Sequence, residues 1–350
     1  MASITLALVT VSLPSSAAAG GDLERLSGTD RFETALAVSQ KQFADQSATI
    51  AVIYNGYSPV DALAGVSLLS AANGLISGPM LPIRTKNAID SDILAELQRV
   101  VQPGSRVYVL GGNDVMDKNV NLSLVDLGYN SIWIGGNDRF ETAGIIAREV
   151  IALRQGSGNT SPVNFFFANG YAIADALAVA PLAASQNGVV LLTYQDAVPV
   201  ATKQAVDHSP GGLLYMVGGT GVISKIVAEE ISYRHYSVNN AYARFDGKNR
   251  YDTSHLIAQG AFNQGEIGLV NGISMVDAFP GAALAAAEAM PILLTSGENL
   301  NCFTAAHIEE NELTISSGFV FGGTTVVTQT AEEQAEALMN GLTTAANIGC

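Results

Sequence analysis

Gly28-Thr29-Asp30-Arg31-Phe32-Glu33-Thr34-Ala35 recurs as Gly136-Asn137-Asp138-Arg139-Phe140-Glu141-Thr142-Ala143 and, more loosely, as Gly247-Lys248-Asn249-Arg250-Tyr251-Asp252-Thr253-Ser254. The arginines stand about 110 residues apart, which makes the repeat a domain-sized unit. A second landmark follows each opening: Asn55-Gly56 ahead of Asp61-Ala62-Leu63, Asn169-Gly170 ahead of Asp175-Ala176-Leu177, and Asn271-Gly272 ahead of Asp277-Ala278-Phe279. A third is a short apolar run ending in a glycine pair, at Val107 to Gly112, Leu214 to Gly219 and Phe319 to Gly323. Three landmarks in one order, three times over, divide the chain into repeats at residues 25–134, 135–242 and 243–350.

Within the first repeat, Phe32 to Phe43 has helical periodicity, Thr49 to Tyr54 reads as a buried strand, and Val60 to Ala72 as a helix ending near Gly74. Met80 to Ile83 and Val107 to Leu110 read as strands flanking a helix over Ile93 to Val100. Asn121 to Leu127 is then helical, and Ser131 to Ile134 is a strand that leads into the next copy. Unbroken apolar strands alternating with helices predict an α/β fold in which a parallel sheet is covered on both faces. Each repeat is therefore expected to be a small Rossmann-like or flavodoxin-like module. A unit of this size holds its own core, unlike the 20–45-residue units of solenoids. Three such modules with almost no linker between them are expected to pack as a pseudo-threefold cluster.

The 350 residues are 48% hydrophobic and 14% charged, ample for buried cores. The net charge of −15 sets a repulsive field against nucleic-acid phosphates, so an anionic partner must be held by local basic groups. After the N-terminus no apolar run approaches the ~18 residues of a membrane span. Residues 1–19 combine an apolar stretch (Ile4, Leu6, Leu8, Val9, Val11, Leu13) with Ala17-Ala18-Ala19, the pattern of a secretory signal and its cleavage site, although no Lys or Arg precedes Arg25. Cys302 and Cys350 are the two cysteines, and in an exported chain they either pair as a disulfide or stay as free thiols. Two cysteines and four scattered histidines offer no metal-ligand spacing, and nothing in the sequence calls for a cofactor.

The repeated openings, the Asp-Ala-Leu helix starts and the glycine pairs resemble the cell wall binding repeat 2 family, from about Arg25 to the C-terminus. The resemblance implies a Gram-positive-type surface protein held noncovalently to an anionic wall glycopolymer, with three modules forming a pseudo-trimer. In such proteins the triplet anchors a separate functional domain, often an amidase or protease, and no such domain fits here. The family's Pro-Ile-Leu-Leu motif, linked to retention on the polymer, is intact as Pro291-Ile292-Leu293-Leu294. Aligned on the threonine that follows, its counterparts are Leu81-Pro82-Ile83-Arg84 and Val189-Val190-Leu191-Leu192. From the residues alone, Pro291 to Leu294 is a core strand. The third opening also departs from the pattern, with Asn249 and Asp252 in place of Asp and Glu.

Asp30 with Glu33 and Asp138 with Glu141 have capping-box spacing, a structural role at a helix start. Asp61, Asp175 and Asp277 fall in a first helical turn, where the dipole favours a carboxylate. That dipole disfavours Arg31, Arg139 and Arg250, so each needs compensation. Two readings stand: a bidentate ion pair to a repeated aspartate within or across a module boundary, or contact with a phosphate or carboxylate of a wall polymer. Gly111-Gly112, Gly218-Gly219 and Gly322-Gly323 read as tight turns, since nothing completes a phosphate-binding loop. The leading function is a non-catalytic wall-binding protein. The alternatives are a structural or adhesive wall-layer protein, and a hydrolase working at the strand ends, for which no nucleophile and base combination is visible. Oligomeric state is left open by the sequence.

Overall fold

The structure, a computed structural model, describes residues 21–71, 74–209, 211–262 and 265–350. The stretch 1–19, read above as an export signal, lies outside the described residues. The chain begins with β1 (Asp22–Leu26), then α1 (Arg31–Gln42), β2 (Ala48–Asn55), α2 (Val66–Ser70), β3 (Met80–Ile83), α3 (Ser91–Val100), β4 (Val101–Leu110), α4 (Lys118–Asp126) and β5 (Asn130–Ile134). The second repeat contributes α5 (Arg139–Gly156), β6 (Asn164–Asn169), α6 (Ile173–Ser185), β7 (Gly188–Thr193), α7 (Val200–Asp207), β8 (Leu214–Val217) and α8 (Lys225–Tyr236), and β9 (Ala243–Phe245) opens the third. The third contributes α9 (Arg250–Ala261), β10 (Glu266–Asn271), α10 (Ala278–Ala287), β11 (Ile292–Thr295), α11 (Cys302–Glu310), β12 (Ser317–Phe321) and α12 (Gln329–Met339).

Among the described residues the strands form three four-stranded parallel sheets, ordered β3-β2-β4-β5, β7-β6-β8-β9 and β11-β10-β12-β1. Each is flavodoxin-like in order, so the expected α/β class holds. The inner strands are apolar on both faces because helices cover both: Val52 and Ile53, Phe165 to Phe167, and Leu269 and Val270 are fully buried.

The fourth strand of each sheet is the segment that leads into the next opening motif. In the third sheet that place is taken by the N-terminal β1, which leads into the first opening, with Leu26 in register with Phe321. Arg25 fixes this closure: its guanidinium holds Glu332 at 2.6 Å and donates to the Gly322 carbonyl at 2.7 Å. The ring is closed by the first strand, so sheet membership and contiguous sequence part company at both ends.

The pseudo-threefold centre is lined by α2, α6 and α10. The last two are rich in alanine, which lets the backbones approach closely; across α2 and α6, Ser70 Oγ donates to the Ala184 carbonyl at 3.1 Å. The edge strands β3, β7 and β11 pack on the central helix of a neighbouring repeat, and one continuous apolar core draws on all three repeats. One element differs from its periodicity. The predicted helix over 60–72 is a 3-10 turn at Pro59–Ala62 followed by the short α2. Gly65, between them, lowers helix stability and sits so close to the sheet that an added Cβ would be 2.8 Å from a Leu110 methyl.

Candidate functional site

The three openings build nearly identical corners at the C-terminal ends of the strands. Asp30 caps α1 by accepting from the Phe32 and Glu33 amides, and Glu33 reaches back to the Thr29 amide at 2.7 Å. Asp138 and Glu141 repeat this on Asn137, and in the third copy Asn249 caps while Asp252 accepts from the Lys248 amide at 2.7 Å. The Asn249 and Asp252 replacements thus preserve the cap, worth about 1 kcal/mol. They change its charge.

Among the described residues Arg31, Arg139 and Arg250 make no ion pair within 4 Å, so the reading of a bidentate pair to a repeated aspartate finds no contact. Each instead donates Nη1 to the carbonyl of its own repeat's Asn-Gly turn: Gly56 at 2.9 Å, Gly170 at 2.9 Å and Gly272 at 2.6 Å. A carbonyl acceptor supplies the compensation that the helix dipole withholds. Arg31 and Arg139 also lie over the exposed rings of Tyr57 and Tyr171, at 5.2 and 5.1 Å; Ile273 stands at that place in the third copy.

Open α/β sheets bind ligands where strand order reverses, here between β2 and β4 and their equivalents. A buried asparagine fills each of those positions. Asn55 Nδ2 donates to the Val115 carbonyl at 2.9 Å, Asn169 to Val222 at 2.7 Å and Asn271 to Val326 at 2.6 Å, while each Oδ1 accepts from the amide two residues on. These asparagines clamp the β2-type turn to the glycine-pair loop. The sequence showed them as landmarks; their recurrence in all three copies was the available signal for a role. The first glycine of each pair has positive φ (135°, 99° and 107°), and its carbonyl accepts from Trp133, Arg244 or Arg25 on the adjacent strand.

The aspartates join one repeat to the next. Burial pushes the Asp61 carboxyl up, opposed by hydrogen bonds from Gly112 and Thr142 and by the charge of Arg139. Asp277 is likewise raised by burial, opposed by Thr34 and Arg31. Asp175 is raised to about 6 by burial, opposed by the charge of Arg250, and among the described residues its Oδ1 has no hydrogen-bond partner. Each aspartate therefore faces the opening motif of the following repeat, the third facing the first. Two of these boundaries open as clefts. The first–second cleft, of about 470 Å³, sets Asp61, Asp114 and Asp138 against Arg139. The second–third cleft, of about 280 Å³, sets Lys248 and Arg250 against Asp175.

The model of the family described as cell wall binding domain 2 matches residues 25–121, 134–228 and 244–332. The chain belongs to this family. Among curated relatives, N-acetylmuramoyl-L-alanine amidase LytC of Bacillus subtilis is 28% identical over 322 residues, covering 91% of this chain and 59% of the relative. The amidase enhancer of the same organism is 24% identical over 310 residues, covering 88% and 39%. The chain thus spans about half the length of these relatives. Two solved structures share the fold: Cwp8 from Clostridium difficile, with TM-score 0.79 and 25% identity over 91% of this chain and 52% of that one, and Cwp6 from Clostridium difficile, with TM-score 0.77 and 22% identity over 95% and 51%.

Strand register corrects the alignment of the Pro-Ile-Leu-Leu stretch in this cell wall binding domain 2 chain. Asn55 pairs with Ile83 as Asn169 pairs with Thr193 and Asn271 with Thr295. The first-copy counterpart of Pro291 to Leu294 is therefore Pro79-Met80-Leu81-Pro82, two residues earlier than the threonine alignment. Ile292, Leu293 and Leu294 are fully buried and Pro291 is buried with them, so they offer a polymer no surface. Tyr194 and Arg84, directly after the equivalent strands, lie against the rings of Phe140 and Phe32 at 4.2 and 4.4 Å.

The Cys302 and Cys350 sulfurs are bonded in the structure, with Cα atoms 5.2 Å apart, tying the C-terminus to α11. His255 and His307 pack together between α9 and α11, and His235 lies against the Gly212 carbonyl; none stands at the strand-end rim. Among the described residues no cluster of three metal-ligating side chains occurs, and no helix is long and apolar enough to cross a membrane.

Proposed function

We propose that this protein is an exported, non-catalytic anchor that holds an anionic wall glycopolymer at the boundary between its second and third repeats. The observation that carries this reading is the charge of the two clefts. Three carboxylates face one arginine between the first and second repeats, whereas Lys248 and Arg250 face one aspartate between the second and third. In a chain of net charge −15 an anion needs such a local excess of cations. Lys248, at the variable second position of the opening, and Asn249, a neutral residue where the family pattern has Asp, create it. A strand-end hydrolase is disfavoured because Asn55, Asn169 and Asn271 occupy the crevices such an enzyme would use. The names of the B. subtilis relatives favour a role alongside a wall amidase, either carried on the same polypeptide or bound to the same wall.

The test is retention on isolated walls, with melting followed on the same samples. Lys248→Glu, at an exposed position, is expected to release the protein at salt concentrations that wild type withstands, without lowering its melting temperature. Arg139→Ala should melt earlier, having lost its carbonyl bond, yet be retained while folded. Equal retention of wild type and Lys248→Glu across a salt series would overturn the assignment. Ordered arrays on bare walls would instead favour a wall-layer component.

A further inference from the structure

Two tyrosines stand in the open where the first–second cleft meets the second repeat. Tyr171 is 67% exposed and Tyr194 37%, their ring centroids lie 6.3 Å apart, and both line the cleft. The buried Phe140 braces them, its ring 4.2 Å from Tyr194 and, edge-on, 5.9 Å from Tyr171.

The fold does not require this pair. By strand register, Tyr194 corresponds to Arg84 in the first repeat and Ser296 in the third. Tyr171, directly after its Asn-Gly turn, corresponds to Tyr57 and Ile273. The same corner therefore forms with Arg84 or Ser296 in place of one ring and with Ile273 in place of the other, and among the three repeats the second alone carries both. Packing does not account for the rings either. An aromatic side chain stabilises a fold through the area it buries, and most of Tyr171 faces water.

The polar part of the cleft is rich in hydrogen-bond acceptors. Asn113 and Asp114 stand exposed on the glycine-pair loop of the first repeat. Asp138 spends Oδ1 on the Glu141 amide at 2.8 Å, and its carboxylate is otherwise exposed. Asp61 is held by Gly112 and Thr142. The one cation among these groups, Arg139, is committed through Nη1 to the Gly170 carbonyl and lies over the Tyr171 ring. Three carboxylates against one guanidinium repel an anion, and ionised carboxylates accept hydrogen bonds without donating any. A ligand that suits the cleft is therefore uncharged, donates from several hydroxyls and has an apolar face for the rings. A sugar ring is such a ligand, because its C–H face meets the electron-rich face of an aromatic ring while its hydroxyls point outward from the rim. The cleft volume of about 470 Å³ lies within the roughly 300–1,000 Å³ of small-ligand sites.

We propose that the first–second cleft binds an uncharged saccharide, with a sugar ring against Tyr171 and Tyr194 and its hydroxyls donating to Asp114 and Asp138. Phosphate-bearing units are turned away by the same carboxylates. The site shares no residue with the cationic cleft between the second and third repeats, where Ile273 and Ser296 hold the equivalent positions, and neither assignment depends on the other.

The experiment is isothermal titration of the full chain, at constant ionic strength, with chitotriose, with maltotriose and with poly(glycerol phosphate). Saturable binding of an uncharged trimer is expected in wild type. The double change Tyr171→Ile with Tyr194→Ser introduces the residues that the third repeat already accommodates at these places, so it should leave the melting temperature in place and weaken trimer binding about tenfold. Tyr194→Phe keeps the ring and should bind as wild type does. Binding of chitotriose alone would assign the site to an N-acetylated glycan strand, of maltotriose alone to a neutral hexose chain, and of both to the sugar ring itself. No saturable binding of either trimer by wild type, or undiminished binding in the folded double variant, would overturn the assignment. Binding of poly(glycerol phosphate) that the double variant loses would overturn it too, by showing that the cleft takes an anion.

Discussion

Acid should unfold the third repeat through His307. The ring is fully buried between α9 and α11, both its nitrogens lack hydrogen-bond partners among the described residues, and its neighbour is the edge-on ring of His255 at 5.5 Å. Burial, helped by His255, pushes its pKa from 6.5 down to about 4. A histidine whose pKa is lower in the fold binds its proton more readily when unfolded, so stability is intact above pH 6.5 and is lost as pH falls from there to about 4. The full gap corresponds to about 3 kcal/mol. That is a large fraction of what a unit of this size ordinarily has. The buried Asp61, Asp175 and Asp277 act with the opposite sign, because their raised pKa values favour the fold as pH falls. A comparison with His307→Leu isolates the histidine. Denaturant unfolding followed by hydrogen exchange on α11 and β12, from pH 7 to pH 4, should show wild type losing about 3 kcal/mol more than the variant over that range. Parallel pH curves for the two proteins would refute the reasoning.

Asp175→Asn should stabilise the chain by up to about 3 kcal/mol above pH 6, because the ionised carboxylate is penalised there. The gain should fade toward pH 4, and a lower melting temperature for Asp175→Asn at pH 8 would count against it. The Cys302–Cys350 bond closes a 48-residue span, so Cys350→Ser should cost at most about 4 kcal/mol, confined to the third repeat. Non-reducing peptide mapping should recover the linked pair, and two alkylatable thiols in the secreted protein would exclude it. Export predicts that intact-mass analysis of protein from its host shows loss of residues 1–19, and cytosolic protein retaining Met1 would contradict it.

The amino-acid sequence by itself determined the three repeats, the α/β alternation and the caps at Asp30 and Asp138, because each of these is set by contacts within a few residues or by apolar periodicity. It also showed where the repeated arginines and aspartates stand, but not what they touch. The arginines meet a glycine carbonyl 22 to 31 residues away, and the aspartates meet the next repeat, pairings that exist only once the sheets have packed around their axis. The two-residue shift of the Pro79 to Pro82 strand was hidden for a related reason: strand register is fixed by hydrogen bonds to β2, while a shared threonine is only a letter in common. The placement of β1 beside β12, nearly three hundred residues along the chain, and the burial of Arg154 in α5 of the second repeat were likewise decided by tertiary structure alone. No local pattern marks a strand as the closing piece of a distant sheet, or a helical arginine as a buried one.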